Sequence, residues 1–327
     1  MSTLTAPVPT TDLRTPSAEL MATLEAIEVD PSDWTATVGP RRVSAESAAE
    51  LRMALIGSLY EVLHAGRAEE KDLGRIVRER DVEEVLLASL PHATSPRAGR
   101  ILELGDGGAV VDLGDVRAFV PDEHLPDSVR AGAIPEGVTV LALPAARPAL
   151  SHGFFLIDGP RGMGERSART RLRRLYLHAV DPESAAGAWR VVLETLNAAD
   201  VPYRSKALSH RDGYPRRDAI VVYLPVEAAA VTEDVAAAVA DVPGIAADTS
   251  AFAHRIRPGL AVADEPRDPR PQYRELSFGE HRSAVAATAL IRAAQEPDST
   301  LADLFVEECR KAHVDPAAPA FNLVPDQ

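Results

Sequence analysis

The chain has 327 residues, of which 46% are hydrophobic and 26% charged, an ordinary composition for a soluble globular protein of one large or two smaller domains. The 49 acidic residues outnumber the 35 basic ones and give a formal charge of -14, which argues against a general nucleic-acid binder or a basic membrane-surface protein. A single cysteine, Cys309, rules out an internal disulfide and a cysteine-rich zinc site.

Residues 1–17 are rich in Thr, Pro and Ser and read as a disordered tail. They lack the basic stretch and apolar run of a secretory signal, and no run approaches about 18 apolar residues. The expected location is the cytoplasm. Residues 18–95 read as a helical N-terminal region. Within it, Leu51, Leu55, Leu59 and Leu63 recur every four residues between Ser44 and Gly66. That spacing predicts one helix over 44–66, capped by Ser44 and ended by Gly66. A second helix is expected over 81–90, stopped by Pro91.

Residues 96–158 change character. The runs RILEL, AVVDL, VRAFVP, VTVLALP and GFFLID are separated by Gly, Pro and Asp and read as an antiparallel β-meander. Residues 159–170 read as a mobile basic loop. Their GPRGMG text is Gly-rich enough to cradle a phosphate, but it neither follows a clear strand nor opens a helix, so it reads first as a loop.

From 171 to 327 the text alternates as an α+β core. Strands are expected over 171–180, 203–210 and 218–224, with a helix over 182–197 capped by Asp181 and another over 232–240. A Pro-rich stretch runs from Pro258 to Pro271, and its Asp-Glu-Pro at 264–266 reads as structural. Two helices follow, near 278–295 and 299–313. The fold class is α+β: a mixed or antiparallel sheet flanked by helices, with a helical N-terminal region. Cys309 falls in the last helix and reads as a packing residue.

Strand parity locates a candidate site. Leu175, Leu177 and Ala179 share one face of the first strand, and Arg174, Tyr176 and His178 share the other. Arg204, Lys206 and His210 share a face of the second strand if it stays extended, and Arg217 and Asp218 open the third. Three neighbouring strands are thus expected to line one pocket with cations. Only Lys71, Lys206 and Lys311 are lysines, against 32 arginines, and Lys71 and Lys311 sit in polar helical text. The sequence lacks a P-loop, a GxSxG elbow and an HExxH pair.

The segment RLYLHAVDPESAAGAWRVVLETLNAADVPYRSKALSHRDGYPRRDAIVVYLP, then RIRPGLAVADEP, then SFGEHR resembles the HopA-type type III effector family over roughly residues 150–295. Bacterial relatives accompany kinase-like proteins in class V lanthipeptide and thioamide-peptide biosynthesis. The resemblance implies a lyase that eliminates phosphate from phosphoserine or phosphothreonine in a ribosomal precursor peptide. It implies a phosphorylated precursor and a kinase-like protein as partners, no nucleic acid, no membrane, and no metal or organic cofactor. It carries over onto Tyr203-x-x-Lys206, Arg174-x-Tyr176, Arg217-Asp218 and Arg282 of the Ser277-Phe278-Gly279 segment. His178 departs from the asparagine expected in many relatives.

Elimination needs a base for the α proton and cations for the departing phosphate. Arginine suits the second task, because its planar fork matches phosphate oxygens and it stays charged; Arg174, Arg217 and Arg282 are the candidates. A lysine base has to be neutral when it acts, and burial and neighbouring cations favour that form. Lys206 is the lysine on the cation-bearing face. Tyr176, His178 and His210 are candidates for protonating the leaving group. The alternative is a module that binds a phosphopeptide or a kinase without chemistry.

Overall fold

In a computed structural model, residues 15–67, 78–114, 116–163 and 171–323 are described. Most of the expected tail, Lys71 and residues 164–170 of the expected basic loop lie outside them. Helix α1 (Ala18–Glu25) leads into strands β1 (Glu28–Asp30), β2 (Thr35–Val38) and β3 (Arg41–Ser44), a small antiparallel sheet inside the region expected to be helical. Its strands are only three or four residues long, too short to show a period. Ser44 therefore ends a strand, and Ser47 caps helix α2 (Ala48–Leu59) by accepting from Glu50 N. The helix continues as a π-helical turn over Tyr60–Ala65 and stops at Gly66, whose φ of 79° is left-handed. Leu51, Leu55, Leu59 and Leu63 are all buried, as their spacing predicts.

Helix α3 (Arg80–Ala88) follows. Strands β4 (Thr94–Gly105), β5 (Gly108–Asp112), β6 (Arg117–Pro121) and β7 (Thr139–Pro144), with the short helix α4 (Asp127–Arg130) between the last two, form a four-stranded sheet in the order β6-β5-β4-β7. It has its own core, which includes Ile101, Val111, Val120 and Leu141. The expected meander is thus divided: β8 (Ala146–Ser151) and β9 (Phe154–Asp158) join a second, larger sheet.

That sheet also takes β10 (Leu172–Ala179), β11 (Arg204–Leu208), β12 (Arg216–Pro225), β13 (His254–Arg257) and β14 (Leu260–Asp264), in the order β13-β14-β10-β12-β11-β9-β8. Every pairing between its described strands is antiparallel. Strand β14, which pairs with β10, arises from text that reads as a Pro-rich connection. Its prolines flank the strand, and Leu260–Asp264 between them is buried at every residue.

The two faces of β10 divide the core as parity predicts. Leu175, Leu177 and Ala179 pack with Trp189, Val192, Leu193 and Leu196 of helix α5 (Pro182–Ala198) and with Val231 and Val235 of helix α6 (Val231–Ala238). Those α5 residues recur at helical spacing. Asp181 caps α5 by accepting from Ser184 N at 2.7 Å, and Trp189 donates its indole N–H to Ser205 Oγ at 2.8 Å. On the other face, Tyr176 and Val221 pack under α1, α2, helix α7 (Phe278–Gln295) and helix α8 (Leu301–Lys311). The molecule is α+β, an antiparallel sheet with helices on both faces. Cys309 is buried in α8. Among the described residues, no helix is long and apolar enough to cross a membrane.

Candidate functional site

On the Tyr176 face, register fixes what lies near the Arg174 end of β10. Arg174 of β10 pairs with Tyr223 of β12, Tyr223 with Arg204 of β11, and Arg204 with Asp158 of β9. One residue pair along, Tyr176, Val221, Lys206 and Leu156 form the next pairings. Lys206 and Arg204 are two residues apart on one strand, about 7 Å, and Arg174 stands two strands away, about 10 Å. A cavity of about 210 Å³ opens over this corner, lined by Arg174, Arg204, Lys206, Tyr223 and Glu265 among others.

Most of its charges are held. Arg174 binds Glu265 in a bidentate pair, with Nη2 donating to Oε1 at 2.7 Å and Nε donating to Oε2. Its guanidinium lies 5.0 Å from the centre of the Tyr223 ring. Burial opposes its charge, but the Glu265 carboxylate beside it keeps it protonated more firmly than a free arginine. Arg204 gives only Nε to Asp158, at 2.7 Å, which leaves its terminal amino groups free among the described residues. Lys206 Nζ sits 3.9 Å from the centre of the Phe154 ring. It has no carboxylate partner among the described residues. Tyr176 is fully buried beneath this wall, its hydroxyl has no hydrogen-bond partner among the described residues, and burial raises its pKa, so it stays protonated.

The structure thus brings Lys206 and Arg174 together, with Tyr176 behind them. It does not bring the other candidates to them, and the expected three-strand cation pocket is corrected there. Arg217 turns away from this cavity, donating to Asp248 at 2.7 Å and to the carbonyls of Val62 and Leu63. It lines a separate cavity of about 710 Å³. His178 also meets Asp248, at 3.0 Å. His210 lies beyond the end of β11, so parity no longer governs it; burial lowers its pKa, and its Nε2 has no partner among the described residues. Arg282 is buried in α7, donating to the Pro319 carbonyl at 2.6 Å and to His281 Nδ1 at 2.7 Å.

That last contact fixes a proton. A guanidinium only donates, so His281 Nδ1 accepts, and Nε2–H donates to Asp268 at 2.9 Å. Burial and the Arg282 charge push the His281 pKa down to about 4, against the pull of Asp268. The folded protein refuses a proton that the unfolded chain accepts below about 6.5. His281 is therefore expected to cost about 3 kcal/mol of stability as pH falls from 6.5 to 4, with His210 acting in the same sense. Urea unfolding across this range checks it: His281→Gln should flatten the slope.

Two sets of residues escaped the sequence reading. Glu265 stands in text that reads as loop, yet it pairs directly with Arg174 at the cavity. Arg216, rather than Arg217, shares the parity of Asp218 and pairs with it through Nη2 at 3.2 Å and through a second bond from Nε. Arg216 also donates to Tyr60 Oη, and its guanidinium lies 5.8 Å from the Phe154 ring that Lys206 covers. His64 approaches Asp218 at 3.5 Å and meets Ser250 Oγ at 2.9 Å. Counting back by two from Asp218 is the signal that finds Arg216. Among the described residues, no cluster of His, Cys, Asp and Glu is arranged to hold a metal.

The sequence pattern of the HopA1 effector protein family matches residues 145–321, more than half of the chain. Comparison with curated proteins gives no match. Among solved structures, the chain is similar to the effector protein from Pseudomonas syringae pv. tomato strain DC3000, with 15% identity and a TM-score of 0.47 over 86% of this chain and 92% of that one. It is also similar to the effector protein from Pseudomonas syringae pv. syringae strain 61, with 15% identity and a TM-score of 0.44 over 84% of this chain and 98% of that one.

Proposed function

The chain belongs to the HopA1 effector protein family, and on that premise we propose that it is a carbon–oxygen lyase acting on phosphoserine or phosphothreonine in a peptide. The observation that carries this reading is the placement of Lys206, without an acidic partner among the described residues, in one cavity with Arg174 and Arg204. Arg174 and Arg204 flank Tyr223 and hold the phosphate between them, as planar donors suited to its oxygens. The Lys206 amine takes the α proton. The electrons of the C–H bond become the Cα=Cβ bond, the Cβ–O bond breaks, and its electron pair leaves on the phosphate. Lys206 then releases its proton to solvent or to the departing phosphate. The products are inorganic phosphate and dehydroalanine or dehydrobutyrine. No metal or organic cofactor enters these steps.

The substrate is a phosphorylated ribosomal precursor peptide, and a kinase-like protein supplies the phosphate. Incubating the full chain with a phosphothreonine peptide should release inorganic phosphate and remove the mass of phosphoric acid from the peptide. A phosphopeptide that binds and is recovered intact, even with the kinase-like protein present, overturns the lyase reading. That outcome favours a non-catalytic phosphopeptide- or kinase-binding module.

A further inference from the structure

We infer that Glu265 is a built-in competitor for phosphate on Arg174, a carboxylate that yields the clamp to the substrate and retakes it to expel the product. This inference rests on reading the cavity as a phosphate site.

Glu265 holds Arg174 through both of its oxygens, which is how a phosphate would also engage a guanidinium. Two anions cannot use the same edge of the fork at once, so phosphate has to displace the carboxylate. The geometry allows this with little rearrangement. The Glu265 backbone is fixed: its N–H donates to the Leu172 carbonyl at 2.9 Å, and its carbonyl accepts from Asn322 Nδ2 at 2.8 Å. Its side chain is 30% exposed, whereas that of Arg174 is 9% exposed. The guanidinium is therefore the fixed partner and the carboxylate the movable one.

Tethering sets the direction of each exchange. A side chain anchored beside its partner competes at a high effective concentration. The phosphorylated peptide offsets that competition with the rest of its contacts. Inorganic phosphate, once cut from the peptide, has no such contacts, and Glu265 returns to Arg174. The pair thus prevents a strong phosphate clamp from becoming a trap for its own product.

The test is calorimetric titration of the full chain with inorganic phosphate at pH 8, for the wild type, Glu265→Gln, Arg174→Ala and the double variant. Glu265→Gln should bind phosphate about tenfold more tightly than the wild type, roughly one bidentate charged contact's worth of competition. The gain should vanish in the Arg174→Ala background. Unchanged binding in Glu265→Gln overturns the inference, and weaker binding overturns it in favour of a carboxylate that positions Arg174. Phosphate binding by none of the four proteins sinks both the inference and the phosphate site. Tighter binding in Glu265→Gln with no elimination from any phosphopeptide leaves the inference standing and removes only the lyase. A thermal melt of each variant confirms that the comparison is between folded proteins.

Discussion

Replacing Lys206 with alanine is expected to lower the elimination rate by about 10³-fold, the middle of the range for a lost general base, and to leave phosphopeptide affinity within a few-fold of the wild type. The side chain is half-buried at the cavity wall, with Arg174 and Arg204 left to hold the phosphate. The packing lost is the contact of Lys206 Nζ with the Phe154 ring, 3.9 Å from its centre. The sharper variant is Lys206→Arg. It keeps the positive charge and much of the contact with Phe154, but a guanidinium does not give up its proton near neutral pH. If Lys206 acts as a base, the arginine variant is as inactive as the alanine variant. If it serves only to attract phosphate, the arginine variant retains most of the activity. Single-turnover rates and separate binding titrations on the three proteins distinguish these results.

The largest effect on stability is expected from Asp218→Ala, a loss of about 3–5 kcal/mol. Arg216 and Asp218 are both buried, and the pair is further tied to Tyr60 and His64. Removing the carboxylate leaves a buried guanidinium without its counter-charge. Replacing both residues by apolar ones of similar size should recover most of the loss, since a buried pair contributes little net stability against a hydrophobic substitute. The same pair gives an acid limb. Burial raises the Asp218 pKa, but Arg216 and His64 together bring it well below the ordinary carboxylate range. Its contribution is complete above about pH 4, the value of an unfolded aspartate, and is lost as pH falls through the lower folded value. Denaturant unfolding of wild type and Asp218→Ala should therefore converge at strongly acidic pH.

How far the sequence could be read follows from which elements have a period long enough to see. Helix α7 matches its expected span because an eighteen-residue helix with a Ser277–Glu280 capping box declares both its type and its start. Strand β10 shows both faces by alternation alone. By contrast, β1, β2 and β3 are too short to alternate, and β14 is buried at every residue, so its text shows no alternation and reads as a connection between prolines. The site was half legible for a related reason. Parity places Arg174, Tyr176, Arg204 and Lys206, which lie inside continuous strands. It fails for His210, past the end of β11, and for Arg217. A bulge interrupts the pairing of β10 with the start of β12. That irregularity makes the phase of Arg216, Arg217 and Asp218 hard to read from the inner strand. Glu265 escapes altogether, because its partnership with Arg174 depends on β14 pairing with β10, which no local pattern announces.

The central claim is that Arg174 and Arg204 hold the phosphate while Lys206 faces the α carbon. A crystal structure of the Lys206→Ala variant with a phosphothreonine peptide bound tests it most directly. The account predicts phosphate oxygens on Arg174 and Arg204, Glu265 turned away from Arg174, and the α C–H directed at the space vacated by the lysine amine. A phosphate seated in the larger cavity beside Arg217, or an α carbon turned away from position 206, would contradict it.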